Sequence, residues 1–157
     1  MSAPVAVRTP AGAVVARVLL VGYLLFVGFT VWLPAAISAK VTGLVGIIAS
    51  WVADAGIASY ARSAFVLEIL ANVALFVPIG LFLALAWPRL RVWQTVLVGA
   101  LMSVLIETVQ GVMPSRFPTL SDVIANTTGT LIGALIVTII LSLAGVERPP
   151  RARRLTA

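Results

Sequence analysis

The stretch LIETVQGVMPSRFPTLSDVIANTTG, residues 105–129, gathers polar side chains inside an otherwise apolar chain. Its charged and amide side chains are Glu107, Gln110, Arg116, Asp122 and Asn126. Of the 157 residues, 61% are hydrophobic and 10% are charged, whereas soluble domains contain about 45–50% apolar residues. A soluble core cannot bury this surplus, so the sequence predicts one compact domain whose solvent is lipid.

Four apolar segments are long enough to cross a hydrocarbon core, which requires about 20 helical residues. We predict spans over residues 13–33, 64–87, 92–113 and 122–144. They are predicted as helices because an open segment in lipid must satisfy its own backbone hydrogen bonds. The first apolar run is longer than that of a secretory signal peptide, which favours a retained span over a cleaved signal.

Residues 40–61, KVTGLVGIIASWVADAGIASYA, are ambiguous. Apolar residues recur there at helical spacing, while Gly46, Ser50 and Asp54 mark the opposite face. This pattern favours an amphipathic helix at the membrane interface. The alternative is a fifth span, which would change the topology. The favoured fold is therefore an all-α membrane protein, a bundle of four transmembrane helices with an amphipathic interfacial helix between the first and second spans.

The basic residues predict the orientation of the chain, because Lys and Arg are enriched in cytoplasmic loops. With four spans and a cytoplasmic N-terminus, three of the eleven basic residues are external, namely Lys40, Arg62 and Arg116. The other eight are internal, namely Arg8, Arg17, Arg89, Arg91, Arg148, Arg151, Arg153 and Arg154. We therefore predict a multi-pass protein of the cytoplasmic (inner) membrane with both termini in the cytoplasm.

This topology divides the chain into three parts. Residues 1–12 form a cytoplasmic N-terminus and residues 13–144 form the transmembrane domain. Residues 145–157 form a disordered basic cytoplasmic tail, able to contact anionic membrane lipids.

Composition restricts the chemistry. The chain contains neither cysteine nor histidine, which excludes disulfides, thiolate nucleophiles, zinc-type sites and histidine bases. We predict no cofactor and no metal. The net charge of +6 is distributed between the apolar spans and the tail, so nucleic acid is not expected as a partner.

Helical spacing predicts three polar faces. Asn72 lies one turn after Glu68, and the third span carries Ser103, Glu107 and Gln110 on one face. The fourth carries Asp122, Asn126, Gly129 and Gly133 as a single stripe. With the predicted topology, all three faces meet in the outer half of the membrane. The sequence thus predicts an outward-facing polar site.

Several of these residues also have structural explanations. Thr119 and Asp122 match a helix-capping box, and Gly129 with Gly133 is a small-residue pattern typical of helix packing. Asn72 and Asn126 could bridge helices by hydrogen bonds. Glu68 lies about 6 Å into its predicted span, where it could still reach water.

Glu107 is the residue least easily explained in this way. A carboxylate within a span costs about 2.5–3.5 kcal/mol on insertion scales and normally faces a partner or a cavity. Arg116 is the expected counter-ion. General acid–base chemistry and a structural salt bridge are equally compatible with this spacing.

The motifs ANVALFVPIG, LIETVQ and SRFPTLSDVIANTTGTLIG together resemble the VanZ-like membrane family. The resemblance covers residues 68–133. It rests on Asn72, Pro78 and Gly80, the Glu107–Gln110 pair, Arg116, and the series Asp122, Asn126, Gly129 and Gly133. It implies a polytopic membrane protein whose founding members confer low-level resistance to the glycopeptide teicoplanin, but it implies no mechanism.

Two functions from different classes remain open. The first is a non-enzymatic envelope protein that binds a lipid-linked cell-wall precursor or a glycopeptide at a site comprising Glu68, Asn72, Glu107, Gln110, Arg116, Asp122 and Asn126. The second is an intramembrane enzyme acting on a polyprenyl phosphate, glycolipid or peptide. Its catalytic candidates are Glu107, Asp122 and Glu68. A transporter is less favoured, because the inner halves of the predicted spans carry no continuous polar track.

Overall fold

The computed structural model describes residues 11–32, 35–112 and 119–145. Within these ranges the chain is helical, without strands. The helices are α1 (Ala11–Trp32), α2 (Ala35–Asp54), α3 (Tyr60–Ala86), α4 (Val92–Gln110) and α5 (Leu120–Leu143). Helices α1, α3, α4 and α5 are long and apolar enough to cross a membrane, and the described side chains of α2 form a shorter apolar segment, Gly43–Asp54. The predicted fold class is confirmed.

The main difference from the predicted boundaries lies between α2 and α3. A helix was expected over 40–61, but α2 ends at Asp54 and α3 begins at Tyr60. Gly56 adopts a positive φ of 69°, and its N–H donates to the carbonyl of Ala53 while that of Ile57 donates to Val52. This pair of bonds is a Schellman motif, which favours glycine at the left-handed position. The sequence prediction missed this helix stop.

The relative directions of the helices resolve the ambiguity about α2. Tyr23 bonds to Leu75 and Arg17 to Ala86, so α1 and α3 run antiparallel. If α2 crossed the whole bundle as a fifth span, α1 and α3 would run parallel. The observed arrangement fits four spans with α2 as an additional helix.

Helix α3 contacts all four other helices and forms the centre of the bundle. Its closest neighbour is α5. A Cβ atom built on Gly129 of α5 would lie only 2.2 Å from the Val73 carbonyl oxygen of α3. A Cβ on Gly133 would lie 2.1 Å from the corresponding oxygen of Val77. Because both numbers rise together, α3 and α5 run in the same direction. The prediction that these glycines serve helix packing is confirmed.

Apolar side chains form the core between α1 and α3 and also cover much of the outside. Leu20, Phe76, Ile79 and Leu83 are buried together, and the Tyr23 hydroxyl donates to the Leu75 carbonyl at 2.8 Å. Large apolar side chains remain exposed on every helix, for example Leu25, Trp51, Leu70, Leu105 and Leu143. Such an apolar exterior suits lipid as the surrounding solvent.

Candidate functional site

Helix α4 is polar on its buried face. Its buried residues are Thr95, Gly99, Ser103, Glu107 and Gln110, which follow one another at intervals of three or four and form one stripe. Its exposed residues include Leu97, Leu101, Val104 and Leu105. The helix thus presents apolar side chains outward and polar side chains to the bundle, as expected for a helix that lines a polar site in a membrane.

The start of α5 lies against the end of α4. We call this part of the bundle, which contains Glu107, Thr119 and Asp122, the α4–α5 end. Thr119 is the N-cap of α5, and its hydroxyl accepts a hydrogen bond from the Asp122 N–H at 3.2 Å. In a complete capping box, the Asp122 carboxylate would accept from the Thr119 N–H. That N–H instead donates to Glu107 Oε2 at 3.0 Å. The predicted capping box is therefore only half formed.

The Asp122 carboxylate turns to α3 instead. Its Oδ1 accepts a hydrogen bond from Asn72 Nδ2 at 2.7 Å, a short distance for a bond to a carboxylate. Asp122 and Asn72 are both partly exposed. This bond links α3 to the N-terminal turn of α5, so one carboxylate connects two helices that sequence spacing alone could not pair.

One turn further along α5, Asn126 connects α5 to α4. Its Nδ2 donates to Ser103 Oγ at 2.9 Å, and the two residues are 4% and 0% exposed. Asn126 Oδ1 is also buried, and it has no hydrogen-bond partner among the described residues. An unpaired buried acceptor costs about 1–3 kcal/mol. This oxygen is therefore a candidate acceptor for a donor outside the described residues.

Below this pair, two small residues allow α4 and α5 to approach closely. Thr130 is fully buried, and a Cβ built on Gly99 would lie 2.2 Å from its hydroxyl. The hydroxyl donates to the Asn126 carbonyl at 3.0 Å. Thr95, one turn further from the α4–α5 end, is also buried and is the last residue of this stripe. The contact of Gly99 with Thr130 was not predicted from the sequence, although Gly99 and Thr95 continue the spacing of Ser103 and Glu107.

The structure buries some of the predicted site residues and leaves others exposed. Glu107 and Gln110 are buried at 7% and 9% exposure. Glu68 is exposed and makes no hydrogen bond or ion pair with any described residue. Because α3 starts at Tyr60, Glu68 lies about 12 Å along that helix rather than the expected 6 Å. Arg116, the expected counter-ion of Glu107, lies outside the described residues.

The carboxylates do not form a metal site in the part of the chain that the structure describes. No group of three or more Asp, Glu, His or Cys side chains there is close enough to hold a metal ion. The Glu107 carboxylate instead accepts from the Thr119 N–H, and the Asp122 carboxylate accepts from Asn72 on α3. The described arrangement provides hydrogen-bond acceptors rather than a chelating cluster.

The fold and the buried polar face define a class of protein, a multi-pass α-helical membrane protein with a polar site at one end of its bundle. A family model described as VanZ/LLP1 matches residues 18–141. The chain belongs to the VanZ-like family. Comparisons with curated proteins and with solved structures found no match.

Proposed function

We propose that this protein binds the head group of a lipid-linked envelope component at the α4–α5 end of the bundle, and that this end faces outward. The observation that carries the proposal is the inverted polarity of α4, whose buried face contains Thr95, Ser103, Glu107 and Gln110. Thr and Ser are common at packed helix interfaces in a membrane, whereas a buried carboxylate such as that of Glu107 is costly there and normally marks a functional site. A polar ligand accounts for a carboxylate on this face.

The accessibility of the site supports a ligand that arrives from the membrane. Asp122 and Asn72 are partly exposed, and Glu68, one turn away on α3, is exposed. Asn126 and Ser103 are buried. Polar groups thus extend from the bundle surface to its interior, a path suited to a head group whose lipid chains remain outside the bundle.

The outward orientation is supported by charge. Eight of the eleven basic residues fall on the side opposite the 111–119 connection when four helices cross the membrane, in accord with the cytoplasmic enrichment of Lys and Arg. At an outward-facing site the protein could hold a cell-wall precursor and so alter its exposure to a glycopeptide such as teicoplanin. A direct complex with the glycopeptide would produce the same phenotype.

Susceptibility to teicoplanin tests the link to resistance. A sensitive host would express the wild type, Glu107→Gln, or Asp54→Asn, an exposed acid at the end of α2 that serves as control. We expect the wild type and Asp54→Asn to raise the inhibitory concentration and Glu107→Gln to reduce this effect. Identical susceptibility of the wild type and the empty vector would remove the resistance role.

Lipid retention tests the binding itself. We expect mass spectrometry of protein purified in mild detergent to detect bound lipid with the wild type and with Asp54→Ala, and less with Asp122→Ala. Thermal unfolding of all three proteins would verify that the variants are folded. Equal lipid retention by folded Asp122→Ala and wild type would contradict the proposed location of the site.

An intramembrane enzyme is the second candidate, favoured by the two carboxylates of Glu107 and Asp122, which hydrogen bonds to Thr119 and to Asn72 hold at the α4–α5 end. Carboxylates can act as general acids and bases. Incubating the protein with lipid II or undecaprenyl phosphates, with and without EDTA, tests this function. A product whose formation requires Glu107 would establish an enzyme, and binding without any product would favour the envelope-binding protein.

A further inference from the structure

Several hydrogen-bond acceptor oxygens at the site receive no donor from the described residues. Within the described ranges, the Asp122 side chain receives one hydrogen bond, from Asn72 through Oδ1, and its Oδ2 receives none. Asn126 Oδ1 is buried without a partner in the described ranges. Glu68 presents a whole carboxylate. A carboxylate accepts several hydrogen bonds, so these oxygens can receive donors from a ligand.

From this surplus, and resting on the proposed lipid-binding function, we propose that the bound head group presents a primary ammonium group to Asp122 and Asn126. An ammonium group carries three N–H donors and a positive charge and has no acceptor. It can therefore donate to a carboxylate oxygen and to an amide oxygen, and Asp122 and Asn126 lie one helical turn apart on α5. Its bond to Asp122 is charge-assisted and stronger than a bond between neutral groups.

The N-terminus of α5 argues against an anionic group as the main feature recognised there. Free N–H groups at a helix N-terminus often bind phosphate. Here two of these N–H groups are already used, that of Thr119 by Glu107 and that of Asp122 by the Thr119 hydroxyl. Two carboxylates already lie beside this terminus. The negative charge that the helix dipole favours is therefore supplied by the protein, and additional negative charge would be repelled.

Glu68 fits this ligand as the first group that it meets. It is exposed and lies four residues, one helical turn, before Asn72. An exposed carboxylate on a membrane-spanning helix is costly unless it faces water or a partner. An ammonium group entering from the membrane surface would pass Glu68 before reaching Asp122. The three carboxylate or amide groups thus form an acceptor path from the exterior inward.

Two membrane amphiphiles can present this group, an aminophospholipid or a lipid-linked peptide with a free amine. The test compares phosphatidylethanolamine with phosphatidylcholine, which has the same phosphate and positive charge but no N–H donor. Binding to the purified full-length protein would be titrated by native mass spectrometry. Phosphatidylglycerol, which is anionic, is the third lipid. A lipid-linked peptide with its amine free or acetylated forms the second arm.

We expect phosphatidylethanolamine, the free-amine peptide lipid, or both to bind about tenfold or more tightly than the matched ligand without N–H donors, as charge-assisted bonds to Asp122 require. The arm that shows the preference identifies the source of the ammonium. Asp122→Asn should remove most of the preference, whereas Asp54→Asn should keep it. Both variants conserve side-chain size.

Other outcomes separate this inference from the proposed function. Equal binding of matched ligands, or tighter binding of phosphatidylglycerol, would overturn the ammonium assignment and leave lipid binding in place. Absence of binding by every lipid in both arms would overturn both. A preference that survives in Asp122→Asn would also overturn the assignment, because it would place recognition away from this carboxylate.

Discussion

Thr119 shows at the scale of single residues how far sequence reasoning can reach. Its role as the N-cap of α5 follows from a local pattern and is confirmed. Its N–H, however, donates to Glu107, twelve residues earlier. No local pattern indicates this bond, because it depends on how the connection between α4 and α5 folds. The same limit applies to Asn72 and Asp122, whose bond depends on the packing of α3 against α5.

The bond between Glu107 and Thr119 predicts a graded loss of stability. Glu107→Gln keeps an acceptor but removes its charge, and we expect it to lower the free energy of unfolding by about 1 kcal/mol. Glu107→Leu leaves a part-buried N–H without this acceptor, and we expect a loss of about 2–3 kcal/mol. Chemical denaturation in detergent micelles would measure both changes.

The neighbouring Thr108 provides the matched control. It is exposed, and among the described residues its hydroxyl bonds only to the Val104 carbonyl of its own helix. Thr108→Val should change the free energy of unfolding by no more than about 0.5 kcal/mol. Equal stability of Glu107→Leu and Thr108→Val would show that Glu107 has no role in holding α5.

At the scale of helices, the sequence predicted those features that repeat with the helical period. The polar face of α4 and the stripe on α5 follow the helical repeat, and both could be predicted from spacing. The end of α2 could not be placed in the same way, because the apolar pattern continues past the Gly56 turn. Periodicity indicates which face is buried, whereas a single backbone angle determines where the helix ends.

The contact between α3 and α5 predicts strongly different effects for two glycine substitutions. In Gly129→Ala, the added methyl group would lie 2.2 Å from the Val73 carbonyl oxygen. That oxygen belongs to the backbone, so α3 and α5 must separate. We expect a loss of about 1–3 kcal/mol in the free energy of unfolding, measurable by thermal or chemical unfolding in detergent.

Gly22→Ala on α1 is the control for this substitution. Nothing lies within 4 Å of a Cβ built there. Alanine has the higher helix propensity, so we expect this variant to be neutral or more stable by up to about 1 kcal/mol. If Gly129→Ala behaved like Gly22→Ala, the close approach of α3 and α5 at this position would be wrong.

For the whole molecule, composition alone was enough to indicate a membrane bundle, because no soluble core accommodates such an apolar surface. The order and direction of the helices required three-dimensional contacts. The antiparallel α1 and α3 show that α2 does not reverse the chain. The residues that meet at the α4–α5 end come from α3, α4 and α5. Sequence spacing predicted the three faces but not which side chains bond across them.

The absence of cysteine in the chain permits the most direct measurement of the central claim, that the polar site faces outward. Single variants Val112→Cys, Asp122→Cys and Arg89→Cys would be treated in intact cells with a membrane-impermeant maleimide. Arg89 lies three residues before α4 and Val112 two residues after it, both exposed, and Asp122 is partly exposed within the site.

We expect Val112→Cys and Asp122→Cys to react in intact cells and Arg89→Cys to react only after permeabilisation. Reaction of Arg89→Cys in intact cells, with Val112→Cys and Asp122→Cys protected until permeabilisation, would contradict an outward-facing site.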